Sequence, residues 1–229
     1  NASLNVRPNT VVRMSVNPYE VNATAGVDLP FASTAYDEWN NVNSTAFVVT
    51  SWFTNSTATA TPTGISAALF NSTVAEAVNL TAQYDGVFNW TTINVLPNTV
   101  ASLVITPINP ALIAGFGGDF GATAYDTWGN VNSTATLSWG TNSSLGASAF
   151  NTTSGYSVFF NDTIAAPYLV NVSAVGVTSS TTAYVNPADI SRIDFTPQSS
   201  NAVAGFITQF TATAYDIWSN VNSTTLSFQ

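Results

Sequence analysis

Residues 34–45 read Thr-Ala-Tyr-Asp-Glu-Trp-Asn-Asn-Val-Asn-Ser-Thr. The first three residues end a run suited to a strand, and the Asp and Asn that follow favour a turn, because their side chains bond nearby backbone groups. The stretch returns as Thr-Ala-Tyr-Asp-Thr-Trp-Gly-Asn-Val-Asn-Ser-Thr at 123–134 and as Thr-Ala-Tyr-Asp-Ile-Trp-Ser-Asn-Val-Asn-Ser-Thr at 213–224. Tyr36, Tyr125 and Tyr215 are therefore 89 and 90 residues apart. A second block keeps the step. Asn5-Val6-Arg7-Pro8-Asn9-Thr10-Val11 matches Asn94-Val95-Leu96-Pro97-Asn98-Thr99-Val100, and Val185-Asn186-Pro187 follows one period on. A period this long makes each repeat a domain, not one of the short units, roughly 20–50 residues long, that stack into a solenoid.

Outward from the turn the pattern is all-β. Phe120, Ala122 and Ala124 alternate with Gly121, Thr123 and Tyr125, and Phe210, Ala212 and Ala214 alternate with Thr211, Thr213 and Tyr215, the period of a half-buried strand. The small alanines are expected to face large aromatics, with Trp52 and Trp139 the candidates. In the first repeat, strands are expected near 11–17, 29–38, 45–53, 56–61, 65–70, 76–84 and 87–95, punctuated by Gly, Pro and Asn. Seven short strands in about 90 residues make a β-sandwich large enough to hold a core without disulfides.

The expected organisation is the end of a preceding repeat at 1–9, repeat 1 at 10–97, repeat 2 at 98–187 and an incomplete repeat 3 at 188–229. The third copy stops at Leu226-Ser227-Phe228-Gln229, which matches Leu137-Ser138-Trp139-Gly140. Residues 189–229 are therefore expected to contact protein beyond this chain. Either further repeats of a longer polypeptide or, less favoured, a strand from a neighbouring chain would complete the sandwich. Flexible linkers are absent. Thr91 to Val95 passes through Pro97-Asn98 straight into Val100 to Ile105, a junction that favours a stiff rod.

Composition narrows the function. Of 229 residues only 7% are charged, with three arginines (Arg7, Arg13, Arg192), no Lys, and a formal charge of -9. Nucleic acid is excluded as a partner, because the phosphate backbone demands a basic face. No His and no Cys are present, which removes imidazole bases, thiol nucleophiles, zinc sites and disulfides. No apolar run is long enough to span a membrane. The 28 Phe, Tyr and Trp residues are too many for a disordered chain. A protein so poor in charge takes its hydration from elsewhere, and 58 Ser and Thr with 25 Asn supply neutral polarity.

Thirteen of those asparagines open an Asn-x-Ser/Thr triplet: Asn1, Asn22, Asn43, Asn55, Asn71, Asn79, Asn89, Asn132, Asn142, Asn151, Asn161, Asn171 and Asn222. Composition alone would give roughly six. The excess points to dense N-glycosylation and an extracellular, cell-surface location. The lack of cysteine argues against an animal receptor module. An archaeal surface protein fits, with algal and viral sources open.

An Ala-Gly before a strand, then Ala-Tyr-Asp-x-Trp-x-Asn-Val, resembles the immunoglobulin-like repeats of bacterial and archaeal surface proteins. The Asp-x-x-Gly-Asn turn of invasin/intimin-type modules is matched by Asp126-Thr127-Trp128-Gly129-Asn130, while Asn40 and Ser219 replace the Gly in the other copies. The resemblance implies tandem immunoglobulin-like β-sandwiches of adhesins, surface layers or filaments, and names no ligand.

Few residues suit chemistry. Asp37, Asp126 and Asp216, each with an Asn four residues on, are the weak candidates for a hard cation such as Ca²⁺. Turn-making is the preferred reading, so no metal and no cofactor other than N-linked glycans is expected. Glu20, Glu38 and Glu76 all fall in the first repeat and give no sign of a glycosidase pair. Tyr36, Tyr125 and Tyr215 suit either a sugar-binding stripe or packing against neighbouring structure. The expectation is a structural, non-enzymatic, heavily glycosylated rod in a cell-surface filament or surface layer, with copies of itself or further repeats as partners. The alternative is an adhesin or carbohydrate-binding module of a secreted protein.

Overall fold

The computed structural model describes residues 2–44, 51–198, 200–201, 203–207 and 209–222, and the chain divides into two compact units. The first comprises Asn1–Thr99 together with Tyr125–Asn132. Its strands are β1 (Arg13–Asn17), β2 (Val21–Thr24), β3 (Leu29–Tyr36), β4 (Ser51–Thr54), β5 (Thr59–Pro62), β6 (Ala67–Asn71), β7 (Ala77–Tyr84) and β8 (Val87–Leu96). They form two four-stranded sheets, ordered β1-β3-β6-β5 and β2-β8-β7-β4. The second unit, Val100–Ala124 with Ser133–Gln229, repeats the plan. Strands β9 (Ser102–Thr106), β11 (Gly118–Tyr125) and β13 (Ser157–Phe160) make one sheet, and β10 (Ala111–Ile113), β12 (Ser138–Thr141), β14 (Pro167–Ala174) and β15 (Val177–Asn186) make the other. A two-stranded sheet of β16 (Arg192–Thr196) and β17 (Thr211–Tyr215) follows.

The alternation read from the sequence places the core. In β11, Phe120, Ala122 and Ala124 are buried between half-exposed Gly121, Thr123 and Tyr125. Trp52 and Trp139 lie in the same apolar clusters as the strand alanines Ala35, and Ala122 with Ala124, respectively. With no disulfide to tie the layers, aromatic contacts fill the centre. Phe31 meets Phe70 edge-on at 6.2 Å, and Phe120 meets Phe160 at 6.1 Å, one period later. Phe160 also contacts Phe150 and Tyr168.

Two expectations need correction. The expected strand at 29–38 ends at Tyr36, because the Asp37 carboxylate bonds the next N–H groups and turns the chain. The edge strand β2 was not foreseen. It is four residues long, carries the polar Asn22, and pairs in parallel with β8, so no hairpin signal announces it. Strand β10 repeats this pairing with β15. Phe210, Phe195 and Ile193 are exposed, because among the described residues no second sheet covers β16 and β17. Residues 45–50 of the expected strand at 45–53 lie outside the described residues, and Ser51–Thr54 is strand.

Truncating Phe160, which is fully buried among three rings, removes more packing than any neighbouring residue can refill. Phe160→Ala is expected to cost about 3–5 kcal/mol, read as a lower denaturant midpoint for the second unit.

Candidate functional site

The repeated turn is the site that the chain builds with most care. In each copy one carboxylate accepts four N–H donors. Asp126 Oδ1 takes the backbone N–H of Trp128 and of Asn130, both at 2.9 Å. Its Oδ2 takes Asn130 Nδ2 at 2.8 Å and the backbone N–H of Asn98 at 3.0 Å. Asp216 holds Trp218, Asn220 and Ala188 in the same way, and Asp37 holds Trp39, Asn41 and Asn9. The residue at the Gly129 position takes a positive φ in all three, 69° at Asn40, 83° at Gly129 and 69° at Ser219. The Gly named by the resemblance therefore suits the backbone shape, and of its two replacements Asn tolerates that region better than Ser does.

The asparagine six residues after the Asp closes the arrangement. Asn43 Nδ2 donates to Asn9 O, Asn132 Nδ2 to Asn98 O, and Asn222 Nδ2 to Ala188 O, at 2.8, 2.9 and 2.8 Å. One residue upstream is thus gripped twice, its N–H by the Asp and its C=O by this Asn. These three asparagines were candidate glycan acceptors, and the recurrence of their sequons has a structural cause. The nitrogen that a sugar would occupy is a buried or half-buried donor to the backbone.

Two of the three turns are seated. The Trp128 ring lies over Gly26, where an added Cβ would stand 2.0 Å from Cη2, and Gly26 has φ +76°. Asn130 beside it donates Nδ2 to Thr73 O and accepts the Ala75 N–H on Oδ1, at 2.8 and 2.9 Å. These residues all belong to the first unit. Within the second unit, Trp218 lies over Gly115 (φ +81°), with 2.1 Å to an added Cβ. Asn220 grips Thr163 O and the Ala165 N–H, both at 2.8 Å. An amide that donates and accepts on one segment copies a strand neighbour, and the indole covers the glycine that such an approach requires.

The other candidates are placed as follows. Tyr36, Tyr125 and Tyr215 are half-buried. The Arg13 guanidinium lies 3.9 Å from the Tyr36 ring centre and that of Arg192 lies 4.6 Å from Tyr215, so these two faces are stacked with cations. The lone pairs that a cation would take on Asp37, Asp126 and Asp216 point at N–H donors, and among the described residues no three acidic side chains gather as a metal site would need. Glu20 and Glu38 are exposed, and Glu76 precedes β7. Of the acceptor asparagines, Asn22, Asn55, Asn142, Asn151 and Asn171 are exposed and Asn79 is half-buried. At Asn55, Asn142 and Asn151 the amide oxygen is anchored by a backbone N–H, from Asn79, Leu169 and Phe159. Asn71, Asn89 and Asn161 donate their nitrogens to Asp28, Met14 O and Gly115 O. Asn1 lies outside the described residues.

Burial acts to raise the pKa of Asp37, Asp126 and Asp216. The side-chain bond from the Asn four residues on, with the three backbone N–H bonds, outweighs it and holds each carboxyl below the ordinary Asp value. A carboxyl depressed in the fold stabilises fully above its unfolded pKa, and that contribution is lost as pH falls through the unfolded value toward the folded one. The melting temperature is therefore expected to hold flat from neutral to pH 5 and to fall below about pH 4. Gly26→Ala and Gly115→Ala place a Cβ inside an indole at a positive φ. Each is expected to cost about 1–3 kcal/mol, read by thermal or denaturant unfolding.

No family model matches the chain, and no curated relative does. Solved structures do match. FdeC, an Escherichia coli adhesin, aligns with a TM-score of 0.62 and 15% identity, over 94% of this chain and 77% of that one. InvD of Yersinia pseudotuberculosis gives 0.55 and 16%, over 92% and 71%. Invasin, a bacterial integrin-binding protein, gives 0.50 and 17%, over 95% of this chain and 49% of its own. At these identities the likeness is one of fold, and the chain is built of immunoglobulin-like β-sandwiches.

Proposed function

We propose that the chain is a structural, glycan-bearing segment of an extracellular filament or surface layer. Its immunoglobulin-like repeats, at 10–97, 98–187 and 188–229, follow one another in a stiff rod, with copies of itself or further repeats as partners. The observation that carries this reading is the seated turn. The element the sequence repeats most faithfully ties its one recurrent carboxylate to N–H donors, and every polar side-chain atom of Asp126 and Asn130 is spent fastening the turn and the segment beside it. Such an element serves load and alignment, with no catalytic role. The surface is hydrated by sugars at the exposed acceptors Asn22, Asn55, Asn142, Asn151 and Asn171. Asn43, Asn132 and Asn222 stay bare because their nitrogens hold the turn. A second reading, an adhesin, is favoured by the fold likeness to FdeC, InvD and invasin.

Electron micrographs of the native protein with glycopeptide mapping test both parts. Extended rods of uniform width, sugar on the exposed set and none at the three turn asparagines are expected. Beads on a flexible string overturn the rod, and a bare polypeptide mass overturns the glycan coat. Saturable binding to a glycan array shifts the assignment to the adhesin reading.

A further inference from the structure

The same turn occurs three times and is seated twice. Trp128 and Trp218 cover Gly26 and Gly115 and are 43% and 40% exposed, whereas Trp39 is 65% exposed. The turn around Trp39 is nonetheless formed in full. Asp37 makes all four of its bonds, Asn40 holds the positive φ, and Arg13 donates to Asn40 Oδ1 while stacking on Tyr36. Asn41 Nδ2 is fixed on Asp37, as Asn130 is on Asp126. Among the described residues no backbone N–H meets Asn41 Oδ1 and no glycine lies under the Trp39 ring. The element is pre-shaped, rigid and unseated.

We propose that the turn Asp37–Asn41 is a docking element for another repeat of this kind. Its occupant is a sandwich presenting the seat seen at Gly26 and Gly115. That seat is a positive-φ glycine for the indole, with a backbone C=O and an N–H two residues apart for the amide of Asn41. The chemistry of the partner is set by the two seats already filled. A side chain at the glycine position would stand inside the ring, and a proline at the Ala75 or Ala165 position would remove the donor. Charge plays no part, since both filled seats join neutral groups. The inference stands on the two seated turns and not on the rod reading. A single indole and one amide make a small contact, so between separate chains the affinity is weak. Within one chain, high effective concentration holds the same contact closed.

The test uses whole chains in trans. The donor is the wild-type chain labelled on its indole nitrogens, with the Trp39 signal assigned by its loss in Trp39→Ala. One acceptor is the chain carrying Trp39→Ala, Trp128→Ala and Asn130→Ala, which empties the Gly26 seat. A second acceptor carries Trp39→Ala, Trp218→Ala and Asn220→Ala and empties the Gly115 seat in the other unit, so loss of folding in one leaves the other. Melting curves identify the folded acceptor. Titration to millimolar acceptor is expected to shift the Trp39 indole signal saturably while the other five indoles hold still. Adding Gly26→Ala, or Gly115→Ala in the second acceptor, is expected to weaken the response at least tenfold. A Trp39 signal that does not move overturns the proposal, and so does a shift that survives the glycine substitution.

Discussion

A buried carboxylate must be compensated, and this chain does so with N–H groups. Asp37, Asp126 and Asp216 are each almost wholly buried, yet no arginine is spent on them. Arg13 bonds Asn40 and Arg192 bonds Asp194. Four donors converge instead, and each fixes something different. Two shape the loop itself, one sets the amide of the following asparagine, and one reaches a backbone N–H at the start of the repeat. The strand before the turn, the first strand of the sandwich and the amide that seats the turn are all referred to one side chain. An Asn in its place would keep a single acceptor oxygen and present an NH₂ to donors.

The sandwich was legible because its physics is local. Alternation in Gly118–Tyr125 specifies an inward face whatever lies opposite, and Phe120, Ala122 and Ala124 take it. Edge strands are different. Val21–Thr24 is defined by parallel pairing to a strand some seventy residues later in the sequence, and nothing within the four residues reports it. Asp and Asn shape the turn as their side-chain chemistry implies, but nothing within the repeated stretch says what Trp128 covers. The signal was present. Ala25-Gly26, Ala114-Gly115 and Ala204-Gly205 recur with the period of the tryptophans, and all three glycines hold a positive φ. Periodicity shows that two features recur together, whereas contact between them is a tertiary fact.

The sequons show the same division from the other side. Asn43, Asn132 and Asn222 and Asn55, Asn142 and Asn151 carry the same tripeptide chemistry, so a sequence pattern treats them alike. In the fold the first set uses Nδ2 as a donor to a backbone carbonyl, and the second uses Oδ1 as an acceptor. The first set commits the nitrogen that a sugar would take, whereas in the second the anchored atom is the oxygen. Recurrence at matching places marks in the first set a residue whose amide nitrogen holds the turn.

A chain with so few charges must choose its contacts by shape and by hydrogen-bond direction. Ion pairs reach far but tolerate misplacement, and salt screens them when they are exposed. The Trp128 seat has the opposite character. The indole needs a residue with no Cβ, the backbone beneath needs a φ that glycine alone adopts at low cost, and the amide of Asn130 must meet a C=O and an N–H at once. Each requirement alone is common on protein surfaces. Their conjunction is rare, so the seat is selective without the charge complementarity that this composition cannot supply.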